Sequence, residues 1–131
     1  GKRLLLNVKD IMHTGSFIPI VREDACLQET ILVMTEKRLG MATIQNDQGE
    51  LLGIYTDGDL RRTFERNMAL TTTPITEVMT TSPKTIHEDS LAAHALQMME
   101  NFKITSLVVV NAHNTVTGVV HIHNILESGI M

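Results

Sequence analysis

Apolar residues at Leu27, Ile31 and Met34, followed by the Arg38 stem, recur at helical spacing. They predict an amphipathic helix that Asp24 is placed to cap and Gly40 is placed to end. Residues 41–44 and 51–55 are short apolar runs separated by Asn46-Asp47-Gln48-Gly49, the pattern of a hairpin. A second helix is predicted from near Asp57 to about Asn67. Upstream, residues 1–12 read as a lead-in ending in a short helical turn, 13–17 as a loop and 18–21 as an extended piece. Thr71-Thr72-Thr73-Pro74 breaks the periodicity and reads as a linker.

After the linker the same order of events returns. Residues 75–79 repeat 8–12, and 85–89 repeat 20–24. Ala92, Leu96, Met99 and Lys103 fall on the positions of Leu27, Ile31, Met34 and Arg38, at a constant offset of 65 residues. Gly118 stands to Gly53, and Asn111 to Asn46, at the same offset. The lead-ins are 67 residues apart, Met12 to Met79, so one loop differs by two residues. One order of elements with a single small length change implies internal duplication. The expected fold is α/β: two β-α-β-β-α repeats related by a pseudo-two-fold axis, divided as 1–70 and 71–131. A unit of about 60 residues buries little surface alone, so two copies are expected to associate and to take small ligands in the cleft between them.

Composition narrows the function classes. The 131 residues are 43% hydrophobic and carry eight Met but no Trp, one Tyr and three Phe, so the core is aliphatic and Met-rich. Few aromatics and a net charge of −4 argue against a nucleic-acid platform. No apolar run approaches the ~20 residues of a membrane span, and no signal peptide is visible. Cys26 is alone, which fits a reducing cytoplasm; it reads as a small buried residue. The start at Gly1, without an initiator Met, reads as a piece of something longer or a processed product.

The stretch with most chemistry is Gly53-Ile54-Tyr55-Thr56-Asp57-Gly58-Asp59-Leu60-Arg61-Arg62. A strand runs into a polar turn that opens a helix. The turn offers unpaired backbone N–H groups and a partial positive charge to a phosphate or carboxylate. Thr56 adds a hydroxyl, Asp59 an acceptor for sugar hydroxyls, and Arg61 and Arg62 anion donors. The bland alternative is a corner capped by its own Thr and Asp. In the second copy, Gly118-Val119-Val120-His121-Ile122-His123-Asn124 puts His for Thr and Asn for Asp, so the two sites are expected to be unequal. His121 and His123 suggest pocket lining or satisfied histidines more than metal ligands, since two are too few for a closed site. His13, His87, His94 and His113 have no assignable partner. Arg61 and Arg62 read either as a solvated helix face or as ligand contacts. Met34, Met98 and Met99 are expected in the core, and Tyr55 at the cleft or the sheet edge.

Met12-His13 and Met79-Thr80 after short helices, and the full Gly-x-x-Thr-x-x-Asp stretch at 53–59, resemble the tandem cystathionine-β-synthase-type (CBS) pair across nearly the whole chain. Gly1-Lys2-Arg3-Leu4-Leu5, Asp10-Ile11-Met12-His13-Thr14-Gly15, Thr56-Asp57-Gly58-Asp59-Leu60-Arg61-Arg62, Ile104-Thr105-Ser106 and Gly129-Ile130-Met131 are similar to the C-terminal half of bacterial arabinose-5-phosphate isomerases. That resemblance implies a regulatory module without catalytic residues. The isomerase (SIS) domain that interconverts ribulose 5-phosphate and arabinose 5-phosphate, for Kdo and lipopolysaccharide synthesis, would precede it. It further implies a cytoplasmic homodimer without nucleic-acid, membrane or metal partners. No cofactor is required, and the ligand is a nucleotide: CMP-Kdo, or AMP or ATP. By resemblance Thr56 would meet a phosphate, Asp59 a ribose, and the backbone of residues 18–20 a base. The expected ligand-binding set is Ile20, Tyr55, Thr56, Asp59, Arg61, Arg62, Thr85, Thr105, His121, His123 and Asn124. The alternative is a structural dimerisation module with empty clefts.

Overall fold

The computed structural model describes residues 5–129; Gly1–Leu4 and Ile130–Met131, quoted for the resemblance, lie outside them. Among the described residues six strands and five α-helices follow in order. They are β1 (Ile20–Arg22), α1 (Leu27–Lys37), β2 (Met41–Gln45), β3 (Leu51–Thr56), α2 (Asp57–Glu65), α3 (Ile75–Val78), β4 (Thr85–His87), α4 (Ala92–Phe102), β5 (Ser106–Val110), β6 (Val116–His121) and α5 (Ile122–Glu127). Among the described residues the strands form two three-stranded sheets, β1-β2-β3 and β4-β5-β6, each with one parallel and one antiparallel pair.

The 65-residue offset maps α1 onto α4, β2 onto β5 and β3 onto β6 end for end. Even the irregularities repeat. Arg38 and Lys103 cap their helices in the left-handed region at φ 59° and 55°, and each sheet shifts register at the matching place, Ile44/Gln45 and Val109/Val110.

The chain divides into two compact units that are not the halves 1–70 and 71–131. One runs Pro19–Pro83; the other joins the segment up to Ile18 with the chain from Lys84 onward. The lead-in before each repeat therefore belongs to the other repeat's unit. In the continuous unit, α3 and Thr80 clasp β3, with Ile54 and Thr80 exchanging N–H···O bonds of 2.9 and 2.8 Å. In the discontinuous unit, His13 exchanges such bonds with Val119 of β6 at 2.8 and 3.0 Å. Glycine is needed where each clasp crosses. A Cβ on Gly53 would lie 2.7 Å from the Thr80 carbonyl and 2.8 Å from Met79 Sδ; one on Gly118 would lie 2.7 Å from the His13 carbonyl and 2.5 Å from Met12 Sδ.

Each unit has its own core. Val21, Leu27, Met34, Ala42, Ile44, Tyr55 and Ile75 form one; Val8, Ile86, Met99, Leu107, Val109, Val120 and Ile125 form the other. Volume is conserved across the paired strands: Ala42 faces Tyr55 in one sheet, where Leu107 faces Val120 in the other. Small beside large replaces two medium side chains, and Tyr55 becomes a core residue.

Two helix ends differ from expectation. The N-cap of α1 is Cys26, only partly buried, with Glu29 reaching back to its N–H; Asp24 instead pairs with Arg22 on the surface. The end of α1 is set by the left-handed Arg38, two residues before Gly40. Met34 and Met99 are buried and Met98 packs against the core.

Candidate functional site

The corner between β3 and α2 is built by a reciprocal cap. Thr56 leaves β3 with extended dihedrals. Its hydroxyl accepts the Asp59 N–H at 3.2 Å, and its own N–H donates to Asp59 Oδ2 at 2.9 Å. This Thr-x-x-Asp arrangement satisfies two otherwise orphaned donors. The Thr56 hydroxyl also donates to Oδ2 at 3.1 Å. Thr80, from the clasp, donates its hydroxyl to Oδ1 and Oδ2 at 3.2 and 3.3 Å. Arg62, one turn on, donates to Oδ1 at 2.7 Å.

The side chain of Asp59 is 8% exposed and that of Arg62 is 67% exposed. A carboxylate offers about four acceptor positions, and four donors already converge on this one. A sugar hydroxyl could reach Asp59 only by displacing one of them. Arg62 is the replaceable donor, because its guanidinium is mostly in solvent. Thr56 and Asp59 are thus the cap of α2 first; the chemistry presented outward is the Arg62 guanidinium, which reaches back from the last turn of α2 to Asp59.

Of the other residues expected here, Tyr55 is misplaced by the sequence reading. It is fully buried, and its hydroxyl donates to Thr63 at 2.8 Å. Burial, chiefly, raises its pKa above the ordinary value. It lines the core and is not available to a ligand. Arg61 is exposed on α2, and Ile20 is half exposed on the outer strand β1. Beside the corner lies an open depression of about 240 Å³ lined by Asp59, Arg62, Thr63, Glu65, Arg66 and Val78. Ligand pockets are commonly about 300–1,000 Å³.

The discontinuous unit carries the matching corner with different chemistry. His121 caps α5: its Nδ1 accepts the His123 N–H at 3.0 Å, and its N–H donates to Asn124 Oδ1 at 2.8 Å. Asn124 Nδ2 lies 3.1 Å from His13 Nε2. His13 therefore stands where Thr80 stands in the other unit, and the position matching Arg62 is Glu127. Burial first, then His123 and His13, hold the His121 pKa below the usual histidine value. His121 and His123 stack edge-on with centroids 4.6 Å apart. Among the described residues no group of three His, Cys, Asp or Glu could hold a metal ion. Thr85 is half-buried on β4, and Thr105 is exposed, its carbonyl accepting the Ile122 N–H at 2.9 Å.

Two members of these corners, Thr80 and His13, were not expected there. Both follow the methionine of a lead-in, and that recurrence was the available clue. His87, also without an assignable partner in the sequence, accepts the Asp89 N–H at 3.1 Å.

Comparison with known proteins follows the duplication. A family model for the CBS domain matches residues 8–66 and 75–130. Over all 131 residues the chain is 43% identical to the arabinose 5-phosphate isomerase KdsD of Pseudomonas aeruginosa and 40% identical to that of Escherichia coli. It spans 40% of the length of each. Among solved structures, a CBS domain pair of protein MJ0100 in complex with 5′-methylthioadenosine and S-adenosyl-L-methionine superposes with a TM-score of 0.79 at 27% identity, covering 93% of this chain and 98% of that one. The CBS domain protein PAE2072 from Pyrobaculum aerophilum, complexed with AMP, gives 0.82 at 18% identity, covering 96% and 100%.

Proposed function

The chain belongs to the CBS-domain family and carries two copies of that domain, and from that premise we propose that it is the ligand-sensing regulatory module of an arabinose 5-phosphate isomerase. The isomerase relatives, of which it spans 40%, support the parent activity and an SIS catalytic domain outside this chain. In this reading the parent works in the cytoplasm in Kdo and lipopolysaccharide synthesis, and the module associates as a homodimer.

The ligand is a nucleotide or nucleotide sugar, CMP-Kdo before AMP or ATP. The observation that carries this is Arg62: a largely exposed guanidinium that reaches back from the last turn of α2 and is fixed at 2.7 Å by the buried Asp59. A phosphate or sugar carboxylate matches that fork bidentately. Asp59 would then take a ribose hydroxyl in the place Arg62 vacates. The 5′-methylthioadenosine and S-adenosyl-L-methionine of the MJ0100 pair lend support to a nucleoside portion in the ligand.

The test is thermal shift of the chain with CMP-Kdo, CMP, AMP, ADP and ATP. A ligand at about 100 times its Kd stabilises by about 2.7 kcal/mol. Stabilisation that disappears in Arg62→Gln supports the reading, and CMP-Kdo alone acting would make it product feedback. If none shifts the transition up to millimolar concentration, the ligand reading fails. The dimerisation reading then moves ahead; it is favoured by Phe64 of α2 and Leu32 of α1, 79% and 63% exposed. Sedimentation of Phe64→Ser against the parent chain tests that association.

A further inference from the structure

We propose that the His13–Asn124–His121 corner is a proton-operated latch: it holds the lead-in segment onto β6 while both histidines are neutral, and releases it when they are protonated. The hydrogen bonds assign the protons. Asn124 Oδ1 is taken by the His121 N–H at 2.8 Å, so the amide presents its NH₂ to His13 Nε2 at 3.1 Å. That nitrogen must be bare to accept, leaving the His13 proton on Nδ1. His121 Nδ1 accepts the His123 N–H at 3.0 Å and is bare as well.

Each ring nitrogen that would gain a proton is thus already an acceptor. Protonating His13 sets an N–H against the amide N–H of Asn124. Protonating His121 removes the cap of α5. Both changes act beside the His13–Val119 bridge to β6, while the N–H groups of Val8 and Lys9 hold the earlier part of the lead-in to the Ser90 and Glu88 carbonyls at 2.8 and 3.0 Å.

No group acting on His121 offsets a proton there. The titratable groups acting on His121 are His123 and His13, both of which oppose a proton. β5 presents Ser106 opposite His121. α4 carries His94 and Glu100, and neither contributes. In the lead-in, Lys9 is bonded to Asp89 and Asp10 accepts from the Asn7 N–H.

The sign follows from linkage. The folded-state pKa of His121 is depressed, so the folded unit binds fewer protons than the unfolded chain. The stability contributed by neutral His121 is complete above the unfolded value of 6.5 and is lost as pH falls below it towards the folded value. The matching place in the continuous unit holds no histidine: there the Thr80 hydroxyl donates to Asp59.

Hydrogen exchange of the whole chain, corrected for the chemical rate, tests this. From about pH 7.5 to about pH 5.5, the amides of His13, Val119 and His123 should exchange several-fold faster. Those of Ile54 and Thr80 should not. The variant H13Q/H121N keeps both acceptors without a titrating group and should abolish the acceleration. Nitrogen chemical shifts at about pH 7.5 should show His13 protonated on Nδ1 and His121 on Nε2, a reading that needs no variant. No acceleration in the parent chain, equal acceleration in the variant, or a proton on His13 Nε2 would each overturn the latch.

Discussion

Replacing Asp59 separates the cap from the ion pair, because its two oxygens do different work. In Asp59→Ala both roles vanish. Thr56 N–H and the Thr80 hydroxyl lose their acceptor, and the reciprocal cap of α2 is gone. Loss of such a cap costs about 1 kcal/mol, and a half-buried donor left unpaired costs about 1–3 kcal/mol. The Arg62 pair adds little, since that guanidinium is 67% exposed. The expected total is about 3 kcal/mol. In Asp59→Asn the amide oxygen can keep the Oδ2 position, retaining Thr56 and the 3.3 Å Thr80 bond. Only the Oδ1 side changes, where an NH₂ now meets Arg62, and the cost should be about 1 kcal/mol. Urea unfolding followed by circular dichroism reads both. With a slope of about 1.5 kcal/mol per molar, the midpoint should drop by about 2 M for Ala and about 0.7 M for Asn. An Asp59→Ala midpoint within about 0.3 M of the parent chain, or equal losses for the two variants, would refute the idea that Asp59 is first a structural residue.

Other outcomes follow from the same geometry. Gly53→Ala drives a Cβ to 2.7 Å from the Thr80 carbonyl and should cost about 2–3 kcal/mol by urea unfolding, with Gly118→Ala close behind. Tyr55→Phe removes one buried hydroxyl bond to Thr63; it should cost about 1 kcal/mol and leave any nucleotide-induced thermal shift unchanged. Arg38→Gly and Lys103→Gly relieve left-handed backbone at φ 59° and 55°, and each should raise the urea stability by about 0.5–1 kcal/mol.

Helical spacing and the 65-residue offset located the strands and longer helices, because periodicity reports which face is buried. They failed where a choice depends on residues distant in sequence. Tyr55 looked available because strand alternation turns it outward from Ile54, yet β3 buries Tyr55 and leaves Ile54 half-buried; only its pairing with Ala42 shows that the ring fills space that Leu107 fills in the other sheet. Asp24 looked like a cap because aspartate usually is one, yet a partly buried Cys26 with Glu29 behind it serves instead. The Thr56 and Asp59 motif was legible, but not how fully it is occupied, since Thr80 arrives from 21 residues away. The partner of His13 lies 111 positions distant. The exchanged lead-ins were invisible for the same reason: the two-residue difference in offset marks a loop but says nothing of where the chain goes next.

That exchange orders events during synthesis. Everything the Pro19–Pro83 unit needs has been made once Pro83 has left the ribosome, whereas the segment up to Ile18, although made before that unit, must wait for β6 and α5. Chains elongate at about 5–20 residues per second, so for roughly 5–20 seconds the lead-in is an orphan strap, with β6, the strand it will clasp, still untranslated. During that interval an identical neighbouring chain whose own lead-in has not yet docked offers it the same sheet.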